Sequence, residues 1–308
     1  MDKVISSNQP TIHKPSLLQR FIHHFKSRST SENIVMCVYF ILFILFSIFC
    51  LYPIFYCFIS SMKTVAELRG DPLAMPSHFT LSQFADTFKL FVVKETNFAG
   101  MLGNSIWQCF GSSALSVIAS FLVAYPLARY NFPGKKLIYL VIIFRITIPI
   151  VGTAPAQYKM FRDLDMLNNP SLFWLAWLNG FDFTTLVLYG FLRGISKSYS
   201  EAAYFAGANR FTIMWKVILP QALPCMIAMF ITQVLVKWND YTTPQLYLRD
   251  YPNLAYGLYV FKDIVNAEGI SMSIYYSAII LAAIPPLILY AVGQRTMLKN
   301  VSIGGVKE

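Results

Sequence analysis

The chain has 308 residues, of which 56% are hydrophobic, 16% aromatic and only 13% charged. A soluble domain carries about 25% charged residues, and here the apolar residues gather into long uncharged runs, which argues against a water-soluble globule. The formal charge of +10 would suit nucleic acid, but the basic residues are placed as they are in proteins oriented across a membrane.

Residues 1–33 are polar, with Lys3, Lys14, Arg20, Lys26 and Arg28. The segment is too long and too polar before its first apolar run for a simple cleaved signal peptide, so it is expected to be kept. Ile34 to Ile59 is uncharged. A helix needs about 20 residues to cross the roughly 30 Å of hydrocarbon, so this is the first predicted crossing. Ser61 to about Gly100 reads as a polar loop, in which Thr80 is expected to cap a short amphipathic helix. Met101–Leu127 is the second crossing. A short turn containing Arg129, Pro133, Gly134, Lys135 and Lys136 follows. Leu137–Tyr158 is the third crossing, interrupted by Arg145, and Leu172–Leu192 is the fourth, containing Asp182. The fifth runs from Pro220 to about Val236. A Tyr-rich loop from Lys237 to Ser271 precedes the sixth, Met272–Gln294, and a short tail, 295–308, ends the chain.

Six crossings place both termini on one side, and Lys/Arg content decides which. One side collects fifteen basic residues, including the five near the N-terminus, Arg193, Lys197, Arg210 and Lys216. The other collects nine, and Arg145 lies within a crossing. The richer side is predicted to be cytoplasmic. Cys37, Cys50, Cys57, Cys109 and Cys225 all lie in apolar runs and read as small buried hydrophobes. His13, His23, His24 and His78 read as solvated loop residues. No metal-binding spacing is present.

One late polar stretch, Ser198–Pro220, has helical character but cannot sit in hydrocarbon. Ser198 and Glu201 have the S-x-x-E spacing of a capping box. Glu201, Ala202 and Ala203 start a helix-forming run, and Gly207 supplies a stop or sharp turn. A second helical stretch, Asn209–Leu219, follows, and Pro220 suits the first turn of another helix.

These residues resemble the EAA loop of bacterial ABC importer permeases: Glu-Ala-Ala at 201–203, glycine at 207, and Val217-x-Leu219-Pro220 where the family pattern has Ile-x-Leu-Pro. Tyr125 to Lys135, Trp238-Asn239, Gln294-Arg295 and the terminal Gly304-Gly305-Val306-Lys307 are similar to motifs of the carbohydrate, maltose-type (MalG-like) permeases. Two departures are Val217 for isoleucine and Ala206 where sugar permeases often carry aspartate.

The resemblance implies an all-α integral membrane protein of the type I ABC importer permease fold, with six transmembrane helices and cytoplasmic termini. Residues 34–294 would form the permease domain, with the cytoplasmic coupling loop at 196–220. It implies a bacterial plasma-membrane heterodimer with a second, homologous permease, two ATPase subunits inside, and an exterior solute-binding protein that delivers a sugar or oligosaccharide. Ser198, Glu201, Ala202, Ala203, Gly207, Leu219 and Pro220 would then couple the ATPase to the bundle. The chain itself has no catalytic residues and binds no cofactor: Gly134-Lys135 lacks the upstream glycine and following Ser/Thr of a P-loop, so ATP and Mg belong to the partner ATPases. Arg145 and Asp182 are costly in hydrocarbon, about 2.5–3.5 kcal/mol each. They, with Asn239, are candidates for the translocation path; the alternative for the two charges is structural pairing, with each other or with the partner permease. The aromatic residues after the fifth crossing suit either sugar stacking or a membrane-interface belt. Alternative functions are import of another polar solute, such as a peptide or amino acid, and an integral membrane enzyme, for which no His, Asp or Ser cluster is visible.

Overall fold

The structure of the protein is a computed structural model that describes residues 30–148 and 152–301. It separates into two units, one ending at Tyr56 and one starting at Cys57. The described part of the first unit belongs to helix α1 (Thr30–Ser60), whose one ionisable acid or base is Glu32 in the first turn. Apart from half-buried Met36, its apolar side chains are exposed from Ile34 to Phe55, as expected of a helix apolar all round. Thr30 to Asn33, assigned to the polar N-terminal segment, already form its first turn. Residues 1–29, with the N-terminal basic residues and His13, His23 and His24, and the terminal Gly-Gly-Val-Lys lie outside the described residues.

The predicted loop from Ser61 to Gly100 is folded. Helix α2 (Val65–Gly70) opens with a closed capping box. Thr64 N–H donates to Glu67 Oε2 at 2.9 Å and Glu67 N–H donates to Thr64 Oγ1 at 3.4 Å. Helix α3 (Ser82–Leu90) is the amphipathic helix expected here, but Thr80 is not its cap. Leu81 holds that position without a side-chain bond, and the Thr80 hydroxyl lies 3.1 Å from Gln83 Oε1. Strands β1 (Val92–Val93) and β2 (Thr96–Asn97) form an antiparallel hairpin, Val92 opposite Asn97 and Val93 opposite Thr96. Its two turn residues, Lys94 and Glu95, both have positive φ, 48° and 65°, the geometry that matches strand twist across a two-residue connection.

Helix α4 (Phe98–Arg129) contains the segment predicted as the second crossing and is long and apolar enough to span a membrane. Ser105, Ser112, Ser116 and Ser120 are buried along it; such small residues let a neighbouring helix approach closely. The segments predicted from the sequence as the third and fourth crossings are not single helices. The third is split into α5 (Lys135–Thr147) and α6 (Ala154–Asp163). Pro149 pushes Ile148 into extended backbone (φ −97°, ψ 109°), and Gly152 is left-handed at φ +86°. The fourth is split into α7 (Pro170–Phe173), which runs into a 3-10 turn at Trp174–Trp177, and α8 (Phe183–Gly194). Gly180 sits in the break because the chain touches α4 there: an added Cβ would lie 2.9 Å from the Ala119 carbonyl oxygen.

Helix α9 (Ser198–Phe205) precedes α10 (Arg210–Lys237). Pro220 lies in the first turn of the α-helical stretch Leu219–Lys237, as the sequence predicts, but that stretch continues unbroken from the turn before it, so α10 runs through the proline. A π turn at Ile213–Ile218 widens the helix just ahead of the proline, and Gln221 Nε2 donates to the Val217 carbonyl at 2.8 Å, so the carbonyls around the ring are spread and re-satisfied. The Tyr-rich 237–271 segment is also largely helical: α11 (Thr242–Leu246) and α12 (Leu254–Glu268). Helix α13 (Met272–Val301) completes the described chain. Among the described residues four helices are long and apolar enough to cross a membrane: α1, α4, α10 and the Met272–Thr296 part of α13.

Two apolar clusters share α4 and α10 as their spine. One joins Phe91, Met101 and Val234 to Leu254, Phe261 and Ala278, so it includes α12 and α13. The other joins Phe121 and Ala124 to Leu188, Leu192, Ile218 and Ala222, so it includes α8. A third, aromatic cluster of Phe161, Phe173, Trp177 and Tyr247 packs α6 and α7 against the end of α11. Cys109 and Cys225 are buried as expected, Cys57 is half-buried, and Cys37 and Cys50 are exposed on α1, where an apolar neighbour in hydrocarbon would replace the core expected for them.

Candidate coupling segment and intrabundle polar cluster

At the start of α9 the S-x-x-E tetrad does not close. Lys197 already has helical dihedrals (φ −67°, ψ −25°) and its side chain makes no cap bond, while the Ser198 N–H donates to Ser196 Oγ at 3.3 Å. The Glu201 amide therefore bonds the Lys197 carbonyl at 3.1 Å. The Ser198 hydroxyl pairs with the Ser196 hydroxyl at 2.7 Å. Ser198, Glu201 and Ala202 are exposed, while half-buried Ala203 packs on the α4–α8–α10 cluster.

The far end of α9 is tightly built. Gly207 has φ +83°. Its N–H donates to the Tyr204 carbonyl at 2.9 Å, and the Ala208 N–H donates to the Ala203 carbonyl at 3.0 Å. That is the paired-bond Schellman ending, which requires a left-handed residue. The Asn209 side chain then accepts from the Thr212 N–H at 2.7 Å, capping α10. The two helices are joined by a short corner fixed by these three hydrogen bonds. Outside this corner stand exposed Tyr199, Tyr204, Phe205 and Phe211, Phe205 being 87% exposed. Leu219 is half-buried and Pro220 exposed at the inner end of the long apolar part of α10.

Deeper in the bundle Asp182 is not in a helix interior, as the sequence suggested, but is the N-cap of α8. Its carboxylate accepts from the Thr185 N–H at 3.1 Å, from Ser120 Oγ at 3.0 Å and from Ser116 Oγ at 3.2 Å. Gln233 of α10 donates to Ser116 Oγ at 3.2 Å and to Thr184 Oγ1 at 2.7 Å. One carboxylate and one amide thus tie α4, α8 and α10 together. Arg145 does not pair with Asp182. Its guanidinium donates to Asn179 Oδ1 and to the Phe181 carbonyl, both at 2.7 Å. The two charges meet the same turn from different elements.

Asn239 is exposed, with Nδ2 bonded to the Leu235 carbonyl at 3.4 Å. The aromatic residues after α10 divide by burial. Trp238 is buried and donates Nε1–H to the Ala282 carbonyl at 3.0 Å, and Tyr247 and Tyr256 are also buried. Tyr241 and Tyr259 remain exposed and stack with ring centroids 5.0 Å apart. Among the described residues no three His, Cys, Asp or Glu come together in a metal-binding group, and His78 is exposed.

Sequence reading missed Ser116, Ser120, Thr184, Thr185 and Gln233. The available signal was the four-residue spacing of Ser112, Ser116 and Ser120 in an uncharged run, which lines hydroxyls along one helix face.

Comparison with known proteins identifies this arrangement. Residues 116–300, which take in the polar cluster and the α9–α10 corner, match the model for the "Binding-protein-dependent transport system inner membrane component" family. A diacetylchitobiose uptake system permease protein of Streptomyces coelicolor is 27% identical over 82% of this chain and 82% of its own length. An arabinooligosaccharides transport system permease protein of Halalkalibacterium halodurans is 27% identical over 83% of this chain and 90% of its own. A chain in the crystal structure of a bacterial ABC transporter involved in import of the acidic polysaccharide alginate superposes with a TM-score of 0.73 at 25% identity, over 87% of this chain and 98% of that one. The chain belongs to the family of binding-protein-dependent transport system inner membrane components: it is a multi-pass membrane permease, a transport component and not an enzyme.

Proposed function

We propose that the chain is the permease subunit of an ATP-driven oligosaccharide importer, fed by an external binding protein and driven through α9. The observation that carries this reading is the α9–α10 corner. An exposed aromatic surface stands on a short helix whose far end is locked by a left-handed glycine and a capped neighbour. Force applied to α9 passes into α10 as a rigid-body motion, because the left-handed glycine ending and the Asn209 cap hold the corner between them. The relatives named for diacetylchitobiose and arabinooligosaccharides and the alginate importer support a carbohydrate cargo.

In this reading Ser198, Glu201, Ala202, Ala203, Gly207, Leu219 and Pro220 form or buttress the surface that an ATPase subunit grips. Two such ATPases bind ATP and Mg, and a second, homologous permease completes the pore. The split segments α5–α6 and α7–α8 supply the third and fourth crossings. Both termini then lie on the Lys/Arg-rich cytoplasmic side of a bacterial plasma membrane. Arg145, Asp182 and Asn239 are the candidates for the translocation path, with Asp182 as much a joint between helices as a wall of the pore.

The test is uptake of labelled oligosaccharide against ATP hydrolysis in the reconstituted complex. Glu201→Lys is expected to insert and assemble, to keep ATP turnover, and to lose uptake. Normal uptake by this variant would remove the reading, as would labelling that placed Tyr204 outside the cell.

A further inference from the structure

A cavity of about 330 Å³ opens between the end of α4 and α9, lined by Tyr125, Arg129, Tyr130, Lys197, Glu201, Tyr204, Phe205 and Arg210 among others. Its cations are unusual in their bonding. Arg129 has Nε and Nη2 buried with no hydrogen-bond partner. Unpaired buried guanidinium nitrogens are costly, because a charged donor that has left water needs an acceptor. The Arg210 guanidinium lies over the Tyr130 ring, 5.6 Å from its centroid. The Tyr125 and Tyr130 hydroxyls are 3.2 Å apart and hydrogen-bonded, which fixes that wall.

We propose that this cavity is a binding site for a phosphate ester, held by Arg129 and Arg210 with Lys197 at the rim. Three basic side chains against Glu201 leave the lining two charges positive, which suits an anionic phosphate ester, either the dianion of a monoester or the monoanion of a lipid diester. The forked guanidinium suits phosphate oxygens in bidentate geometry. The volume is at the lower end of small-ligand sites, about 300–1,000 Å³, larger than a single carboxylate needs, and Tyr204 and Phe205 give the rest an apolar wall. Arg129 is also the last residue of α4, a helix long and apolar enough to cross a membrane, which sets the cavity at the end of that apolar span. The ester can therefore come from a soluble metabolite or from the headgroup of an anionic lipid. The cavity shares Glu201, Tyr204 and Phe205 with the face of α9 assigned above to the ATPase, so ligand and ATPase would meet on the same short helix.

The experiment uses the assembled importer in phosphatidylcholine nanodiscs without nucleotide. Protection of Lys197 from amine acetylation, read by mass spectrometry, is titrated with inorganic phosphate and with glycerol 3-phosphate, and separately by adding phosphatidylglycerol to the discs. Saturable protection is expected from one source, weakened at least tenfold by Arg129→Gln and partly restored by Arg129→Lys. Protection by the soluble esters assigns a metabolite site. Protection by phosphatidylglycerol alone assigns a lipid site. If Arg129→Gln fails to assemble, Arg210→Gln, at an exposed position, is expected to weaken protection at least threefold. Absence of protection from both sources, protection unchanged by the Arg129 and Arg210 substitutions, or an ATPase carboxylate found on Arg129 in the complex overturns the proposal. Because protection is read without nucleotide or substrate, its failure is separate from failure of the uptake reading.

Discussion

Among the described residues two Ser/Thr-x-x-Glu tetrads share the spacing of a capping box, and only one of them is a cap. At Thr64–Glu67 the residue before the helix is extended (φ −73°, ψ 163°), and Glu67 also accepts from the Ser77 N–H at 2.8 Å. At Ser198–Glu201 the preceding residue is already helical, and no second segment supplies a donor to the glutamate. The motif closes where the approaching backbone is extended and a neighbouring strand of chain holds the acid. Where the chain enters helically, the same letters leave the acid outside. The difference fits their places: one tetrad fastens a fold on one side of the bundle, and the other presents a surface.

The contrast can be broken most severely at Gly207. Proline cannot adopt φ +83°, so Gly207→Pro dismantles the corner, and at least a tenfold loss of uptake is expected while ATP hydrolysis and membrane insertion persist; transport and ATPase assays on one preparation check it. Asp182 is a true cap with extra donors. Asp182→Ala is expected to cost about 1.5–3 kcal/mol, the worth of hydrogen bonds to a charged group, seen as a lower unfolding temperature in nanodiscs. Asp182→Asn should recover part of it. Asn209→Ala removes the cap on α10 and should cost about 0.5–2 kcal/mol in the same measurement.

Glu67 gives the comparison a pH axis. The Thr64 N–H, followed by the donors of Ser77 and the Thr64 hydroxyl, holds its carboxyl at about 2, below the ordinary 4.5. The ionised form therefore stabilises the 64–77 turn at pH above about 4.5, and this contribution is lost as pH falls toward about 2. Protease resistance of that turn should be constant from pH 7 to 5 in the native chain and should already be low at pH 7 in Glu67→Gln. Smallest of all, Ser198→Ala should move the unfolding temperature by less than the equivalent of about 0.5 kcal/mol, since no helix amide depends on its hydroxyl. A larger effect would mean that the tetrad closes after all.

The sequence displayed the apolar runs of α1, α4, α10 and α13, because twenty uncharged residues have no other stable use. It also displayed Gly207, because a left-handed corner has few alternatives to glycine. The breaks in the third and fourth crossings were harder to see. Pro149, Gly152 and Gly180 stand inside hydrophobic windows that average over them, and a window does not know that α4 presses on Gly180. The folded 61–100 and 237–271 segments were read as loops because their helices are short and amphipathic, and their stability comes from packing against α4 and α13. The polar cluster around Asp182 was half visible. The acid stood out by its charge, but its partners are two serines of α4 and a threonine of the helix it caps, with a glutamine of α10 behind them.

The wide turn in α10 has a geometric effect beyond making room for a proline. Ile213 and Ile218 are five residues apart, yet both are buried in the same cluster. On a regular α-helix five steps of about 100° would leave them about 140° apart, on nearly opposite sides. The extra residue in the turn brings them back into phase. The rod therefore behaves like a spliced shaft whose two ends are indexed separately, one set by the corner with α9 and the other by its neighbours deep in the bundle.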